Sequence, residues 1–493
     1  MKKYTRIAAL ILCCILMIPV LSVPAGASSE VPYQTYTFDR WGNATPAPNG
    51  YLPTRSIGGA QLGCGNFSNA ADMFYSRALG RIFIADSGNN RILILREDFT
   101  LETELSELTR DSGESYALSN PQGIFVRDDG SLYICDTGNQ DIVVCDLEGR
   151  IQSILPRPES NLLPDNFNYQ PTKIVVDGEG RIYIISKGSY QGLIYLDTDG
   201  SFIKFFGPNN VEMTFRRRIM QIWKTILSDE AAATMQSFNP IEYGNLFLSE
   251  DGYIYATAAG SENGAALMTK LNPLGIDCLP YKTSGSSSLI FDVSVDGSGI
   301  TTMLDTNNGL IIQVDENGKN MFLFGGIGNQ VGLFQKPVSL IEVNEKLYVM
   351  DADKNTITEF TLTQFGEMVR SAITLYNEGQ YLESIEPWKE VISHNSNYLL
   401  AYTGLGKAYY QLRDYETAMY YYRLANNRAD YSEAFKEYSL AKVRNAFSYI
   451  ILGIIALVIL ILLVKKWLDS LEEPLITILR KKCGKKQKTT GKE

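Results

Sequence analysis

The stretch RIFIADSGNNRILIL, Arg81 to Leu95, is two apolar runs joined by a polar hinge, and it recurs. GSLYICDTGNQDIVVCD (130–146) and GRIYIISKGSYQGLIYLD (180–197) restate it. So do DGYIYATAAGSENGAALMTKL (251–271), GITTMLDTNNGLIIQVD (299–315) and EKLYVMDADKNTITEF (345–360). Each copy has a leader such as NPQGIFVRDDG or QPTKIVVDGEG, which adds a strand and an Asp-Gly turn. Segments such as GRIQSIL and GSFIKFFG add a trailing strand. The unit is therefore four short strands, and both faces of each strand are apolar. Strands of that kind must be covered on both sides. Six such units at roughly 50-residue spacing predict an all-β, six-bladed propeller.

The pattern Pro-x-Gly-Ile, Asp-Gly, Ile-Tyr-Ile-x-Asp-x-Gly-Asn, clearest at Pro121–Val144 and Arg81–Leu95, resembles the NHL repeat. FGGIGNQVGLFQKP (324–337) is similar to its inter-blade linker. The resemblance covers residues 34–362 and implies an NHL-like propeller, a fold that hosts both binding and catalysis. Blade six lacks a fourth strand, which Gln34–Asp39 is expected to supply, and its third strand ends on the face opposite the hinges. The links at 41–70 and at 209–237, the latter reading as helical, are expected to crowd the hinge face.

The ends of the chain carry other signals. Lys2, Lys3 and Arg6, an apolar run and Ala25-Gly26-Ala27 predict a secretory signal peptide over residues 1–27. Residues 447–464 are uncharged and apolar, long enough to span a bilayer. The basic tail, 465–493, is expected to stay inside and the N-terminal portion outside. The chain carries a net charge of −10 although both ends are basic, so the portion between is acidic. That excludes nucleic acid as a partner. Residues 363–446 show apolar residues at helical spacing. Tyr381 and Tyr415, or Trp388 and Tyr422, recur with the 34-residue period of the tetratricopeptide repeat, which the segment resembles.

Chemistry is sparse. The single histidine, His394, lies in a helical connection, so neither a Ser-His-Asp triad nor a multi-histidine zinc site is available. Four cysteines (Cys64, Cys135, Cys145, Cys278) fall outside the membrane without metal-ligand spacing. Asp351-Ala-Asp-Lys-Asn-Thr lacks the glycine and glutamate of an EF-hand loop. Gly326-Ile-Gly328 opens no βαβ unit. No catalytic residue, metal or cofactor is assigned. The candidate binding residues lie on the hinge face: Asp86, Asn89, Arg91, Asp136, Asn139, Asp305 and Asn308, with Arg217 and Trp223 of the helical insertion. Repetition of the hinge also points to a structural cause. In that view Asp86 accepts backbone hydrogen bonds and Gly88 adopts a positive φ. The chain also resembles bacterial propeller–repeat–anchor proteins associated with sugar-uptake systems. That implies a single-pass membrane protein with an extracellular scaffold that binds a protein or glycan. The alternative is a cation-dependent, lactonase-like extracellular hydrolase.

Overall fold

The second and third strands of nearly every repeat carry unbroken buried runs, such as Leu132–Asp136 and Ile182–Ser186. Sheets like these have no solvent face and stack on one another. A computed structural model describes residues 31–38, 41, 43–163, 167–208, 242–258, 267–281 and 288–486. The signal peptide and the 209–237 insertion, with Arg217 and Trp223, lie outside the described residues. Six sheets make a six-bladed propeller; five are built of consecutive antiparallel strands, and the sixth takes one strand from earlier in the chain. The inner strands are Asp72–Ser76, Pro121–Val126, Pro171–Val176, Tyr243–Leu248, Ile290–Val295 and Pro337–Val343. The apolar core lies between blades. Phe83, Ile92 and Ile94 of blade one, for example, pack with Ile124, Ile134 and Val143 of blade two.

Ring closure differs from the expectation for Gln34–Asp39. The fourth strand of blade six is Tyr51–Gly58, which pairs along all seven residues of Thr356–Leu362. Tyr36–Phe38 instead pairs with Ala44–Pro46 in a separate hairpin. The reason is length and connection. A three-residue strand cannot cover its neighbour, whereas Tyr51–Gly58 matches it and leads directly to the inner strand of blade one. Residues 41–50 thus precede the closing strand and are not part of an inter-blade link. Tyr51 is fully buried and stacks on Phe324 of blade five, ring centroids 5.2 Å apart. Blade four has three strands, Tyr243–Leu248, Ile254–Ala258 and Met268–Leu271, among the described residues.

The hinges fasten the blades. Asp86 is fully buried and accepts from the Ser68 amide at 2.8 Å, joining the hinge to its own leader. Asp136 and Asp305 accept from the amides of Ser119 and Leu289 in the same way, and Ser186 Oγ from Gln170. The next residue reaches the following blade: the hydroxyls of Ser87, Thr137 and Thr306 donate to the carbonyls of Pro121, Pro171 and Pro337. The positive φ falls on Asn90 (53°) and Gln140 (63°), not on Gly88. Gly88 is needed for closeness, because its amide donates to the Ser68 carbonyl at 2.8 Å. A Cβ there would lie 2.6 Å from that oxygen. Gly88→Ala should therefore cost about 1–3 kcal/mol in chemical denaturation. Gly178→Ala, whose Cβ meets nothing within 4 Å, should be neutral.

The chain forms two compact units, residues 1–404 and 405–493. In the first, helices α1 (Gln364–Asn377) and α2 (Ile385–His394) follow the propeller, and α3 (Leu399–Gln411) begins. Thr363 caps α1 by accepting from the Gly366 amide. Arg370 of α1 donates to Asp296 at 2.7 Å, Glu342 at 2.8 Å and the Tyr51 hydroxyl at 3.0 Å. Asp296 stands in an Asp-Gly turn, so α1 lies on the face opposite the hinges, as the strand order requires. In the second unit, α4 (Tyr415–Leu424) and α5 (Arg428–Lys486) pack through Ala418, Tyr422 and Ala434. The stretch Arg428–Ser470 within α5 is long and apolar enough to cross a membrane, with a mean hydropathy of 3.1 over its best window.

Candidate functional site

Inner strands bulge at the same place in five blades. The register shifts between Pro121 and Gly123, Pro171 and Lys173, Tyr243 and Asn245, Ile290 and Asp292, and Pro337 and Ser339. A bulge re-aims the side chain beside it. Asp72 occupies the same register in blade one, opposite Ala85 and next to the hinge acid Asp86. The six equivalent positions are thus Asp72, Gly123, Lys173, Asn245, Asp292 and Ser339. They form a polar ring around the propeller axis at its hinge end.

The side chains bond in two groups, joined where Ser339 Oγ lies 3.5 Å from Asp72 Oδ1. The Lys173 ammonium donates to Asp72 Oδ1 at 2.5 Å, two blades away. It passes Gly123, where a Cβ would lie 3.0 Å from the Lys173 Cα and 2.3 Å from the Thr172 carbonyl. Asp72 also accepts from the Ile124 amide at 3.0 Å. Asp292 accepts four bonds, from Asn245 Nδ2 (2.6 Å), Ser339 Oγ (3.0 Å) and the amides of Val293 (2.8 Å) and Leu340 (2.7 Å). Asn245 Oδ1 accepts from the Leu246 amide, and Ser339 Oγ accepts from the Met73 amide. All five side chains are buried. Burial pushes both carboxyls up. Asp292 reaches about 6, with Lys173 pulling it down and the Asp72 charge pushing it further up.

The ring is a poor fit for the divalent cation that a lactonase-like hydrolase requires. Its ammonium already neutralises Asp72, and Asp292 is fully engaged by the chain's own donors. Among the described residues no three His, Cys, Asp or Glu side chains gather as a metal requires.

The hinge residues named from sequence surround this ring on the same face. Asp86, Asp136 and Asp305 are completely buried. Asn89, Asn139 and Asn308 each donate to the acid three residues before them, at 2.8, 2.7 and 2.8 Å. Arg91 is also buried; it donates to Asp86 at 2.8 Å and to the Cys64 carbonyl at 2.6 Å. These contacts are internal to the chain. Sequence reading missed the ring itself. Its signal is one polar column (Asp, Gly, Lys, Asn, Asp, Ser) in an apolar strand, visible once the copies are aligned on their hinges.

No protein-family model matches the chain. It is 32% identical over 102 residues to NHL repeat-containing protein 2 of Gallus gallus, covering 19% of this chain and 14% of that protein. The chain thus spans about a seventh of the curated relative it matches. Among solved structures it is similar to virginiamycin B lyase from Staphylococcus aureus (9% identity, 64% of this chain and 100% of that one, TM-score 0.38). It is also similar to a gluconolactonase from Xanthomonas campestris (15% identity, 65% and 99%, TM-score 0.40). Likeness this remote transfers no activity.

Two outcomes test the ring. Lys173→Met should cost about 3–5 kcal/mol in denaturant unfolding, because it leaves Asp72 buried without a cation. Adding Asp72→Asn should restore most of that loss. Asp292 binds its proton more tightly folded than unfolded, so its contribution is full below its ordinary value near 4 and is lost as pH rises through about 6. Wild type should accordingly lose about 3 kcal/mol across that window relative to Asp292→Asn, read from unfolding curves at each pH.

Proposed function

We propose that this chain is a single-pass membrane protein whose propeller binds ligand outside the cell, as an accessory to a carbohydrate-uptake system. The N-terminal portion would be outside and the basic tail inside. The helices after the propeller, read as tetratricopeptide-like repeats, would offer a second docking surface for a protein partner. The observation that carries this reading is the filled ring. Among the described residues, each charged group of the ring is partnered by another group of the same chain. A propeller so filled acts through its surfaces. The long apolar stretch of α5 supports the anchor.

The full chain in lipid nanodiscs, titrated calorimetrically with neutral disaccharides, should show saturable binding with the sugar recovered unchanged. Turnover of a lactone that depends on added divalent cation would move the assignment to the hydrolase. A lack of binding to any sugar would overturn the carbohydrate reading.

A further inference from the structure

A concavity lies away from the axis, on the Asp-Gly-turn face. It encloses about 690 Å³ between blade four, blade five and α1. That is within the usual range of small-molecule sites, roughly 300–1,000 Å³. We propose that this cleft is the ligand site of the binding protein and that it takes an uncharged, polyhydroxylated molecule of about disaccharide size. The proposal rests on the binding reading given above.

Among the described residues blade four has three strands, and the cleft lies beside the last of them. After Met268–Leu271 the returning chain makes one bridge, Leu271 with Asp277, and the Cys278 amide donates to the Lys270 carbonyl at 2.8 Å. The chain then leaves the sheet, and Leu279, Pro280 and Tyr281 form an apolar wall. The Tyr281 ring rests against Gly318, where a Cβ would come within 2.2 Å of it. The opposite wall is the end of α1. It is held by the Arg370 ion pairs and by Asn377, which donates to the Ser298 carbonyl at 2.7 Å. Three separately fixed elements thus shape the cleft in advance.

Its chemistry selects against charge. Among the described residues Asp251, Glu316 and Glu378 line it against the Lys270 ammonium, so anions are repelled. The same ammonium stands 4.3 Å from the Tyr253 ring centroid and 5.4 Å from that of Tyr255. It already occupies the aromatic faces that an incoming amine would need. The exposed rim is a mixture of carboxylate acceptors and the side-chain amides of Asn317 and Asn377, whose Nδ2 groups donate to Glu316 and Ser298 and carry a second N–H each. That set suits paired hydroxyls, which both donate and accept.

Cys278 provides the readout, since its free thiol is exposed and lines the cleft. The full chain in nanodiscs is to be alkylated with and without maltose, cellobiose, xylobiose or spermidine, and the Cys278 peptide quantified by mass spectrometry. A disaccharide that binds should slow Cys278 alkylation at least fivefold. Glu316→Ala/Glu378→Ala, which alters exposed rim residues only, should weaken its binding at least tenfold with an unchanged melting temperature. If a disaccharide binds but neither the labelling nor the variant responds, the cleft assignment is overturned while the binding function stands. If no disaccharide binds, the carbohydrate reading itself fails. Protection by spermidine alone would make the cleft a cation site and overturn the proposal.

Discussion

Six sheets that are apolar on both faces can be covered only by one another. That constraint governs the whole molecule. Each blade needs a neighbour on each side, so the row has to become a circle, and a circle abolishes the open ends that would otherwise be exposed. The hinge acids, the Ser/Thr residues that follow them and the glycines that let strands approach all serve this one requirement. They hold adjacent blades at the spacing the apolar layers demand.

The same constraint explains why the axis is polar. The apolar layers run between blades, and the inner-strand positions nearest the hinge end of the axis carry polar residues instead. The positions left over are filled by a short ionic and hydrogen-bonded circuit, Lys173 to Asp72 and Asn245 and Ser339 to Asp292. A buried carboxylate without partners would be costly. Here each has them, and the circuit ties blade one to blade three and blade five to blades four and six.

Much of this was legible in the residues. The repeated hairpin announces the blades, and the missing fourth strand of blade six announces closure from the N-terminus. The choice of closing strand was not legible, because Gln34–Asp39 and Tyr51–Gly58 are both plausible extended segments. Only pairing along the full length of Thr356–Leu362 separates them. The role of Gly88 was misread for a related reason: a glycine in a hinge suggests a positive φ, whereas the cause is a close contact with Ser68, in the leader of the same blade. The polar ring was hidden by its spacing. Its members are spread over the whole propeller, and each looks like an isolated polar residue in a strand. The cleft beside α1 could not be read at all, since it arises where the chain after blade four meets blade five and a helix that arrives from elsewhere.

Tyr51–Gly58 also sets the order in which the molecule can be made. Its partner strand, Thr356–Leu362, emerges from the ribosome some three hundred residues later. Until then blades one to five have a free flank, and the closing strand has no sheet to join. Contacts this far apart in sequence slow folding, because the loop must close before they reward it. The nascent chain therefore carries an unpaired strand near its beginning for almost the entire synthesis of the propeller. The strand carries a proline, Pro53, and an exposed charge, Arg55, the residue types that oppose pairing of a free strand edge with another chain.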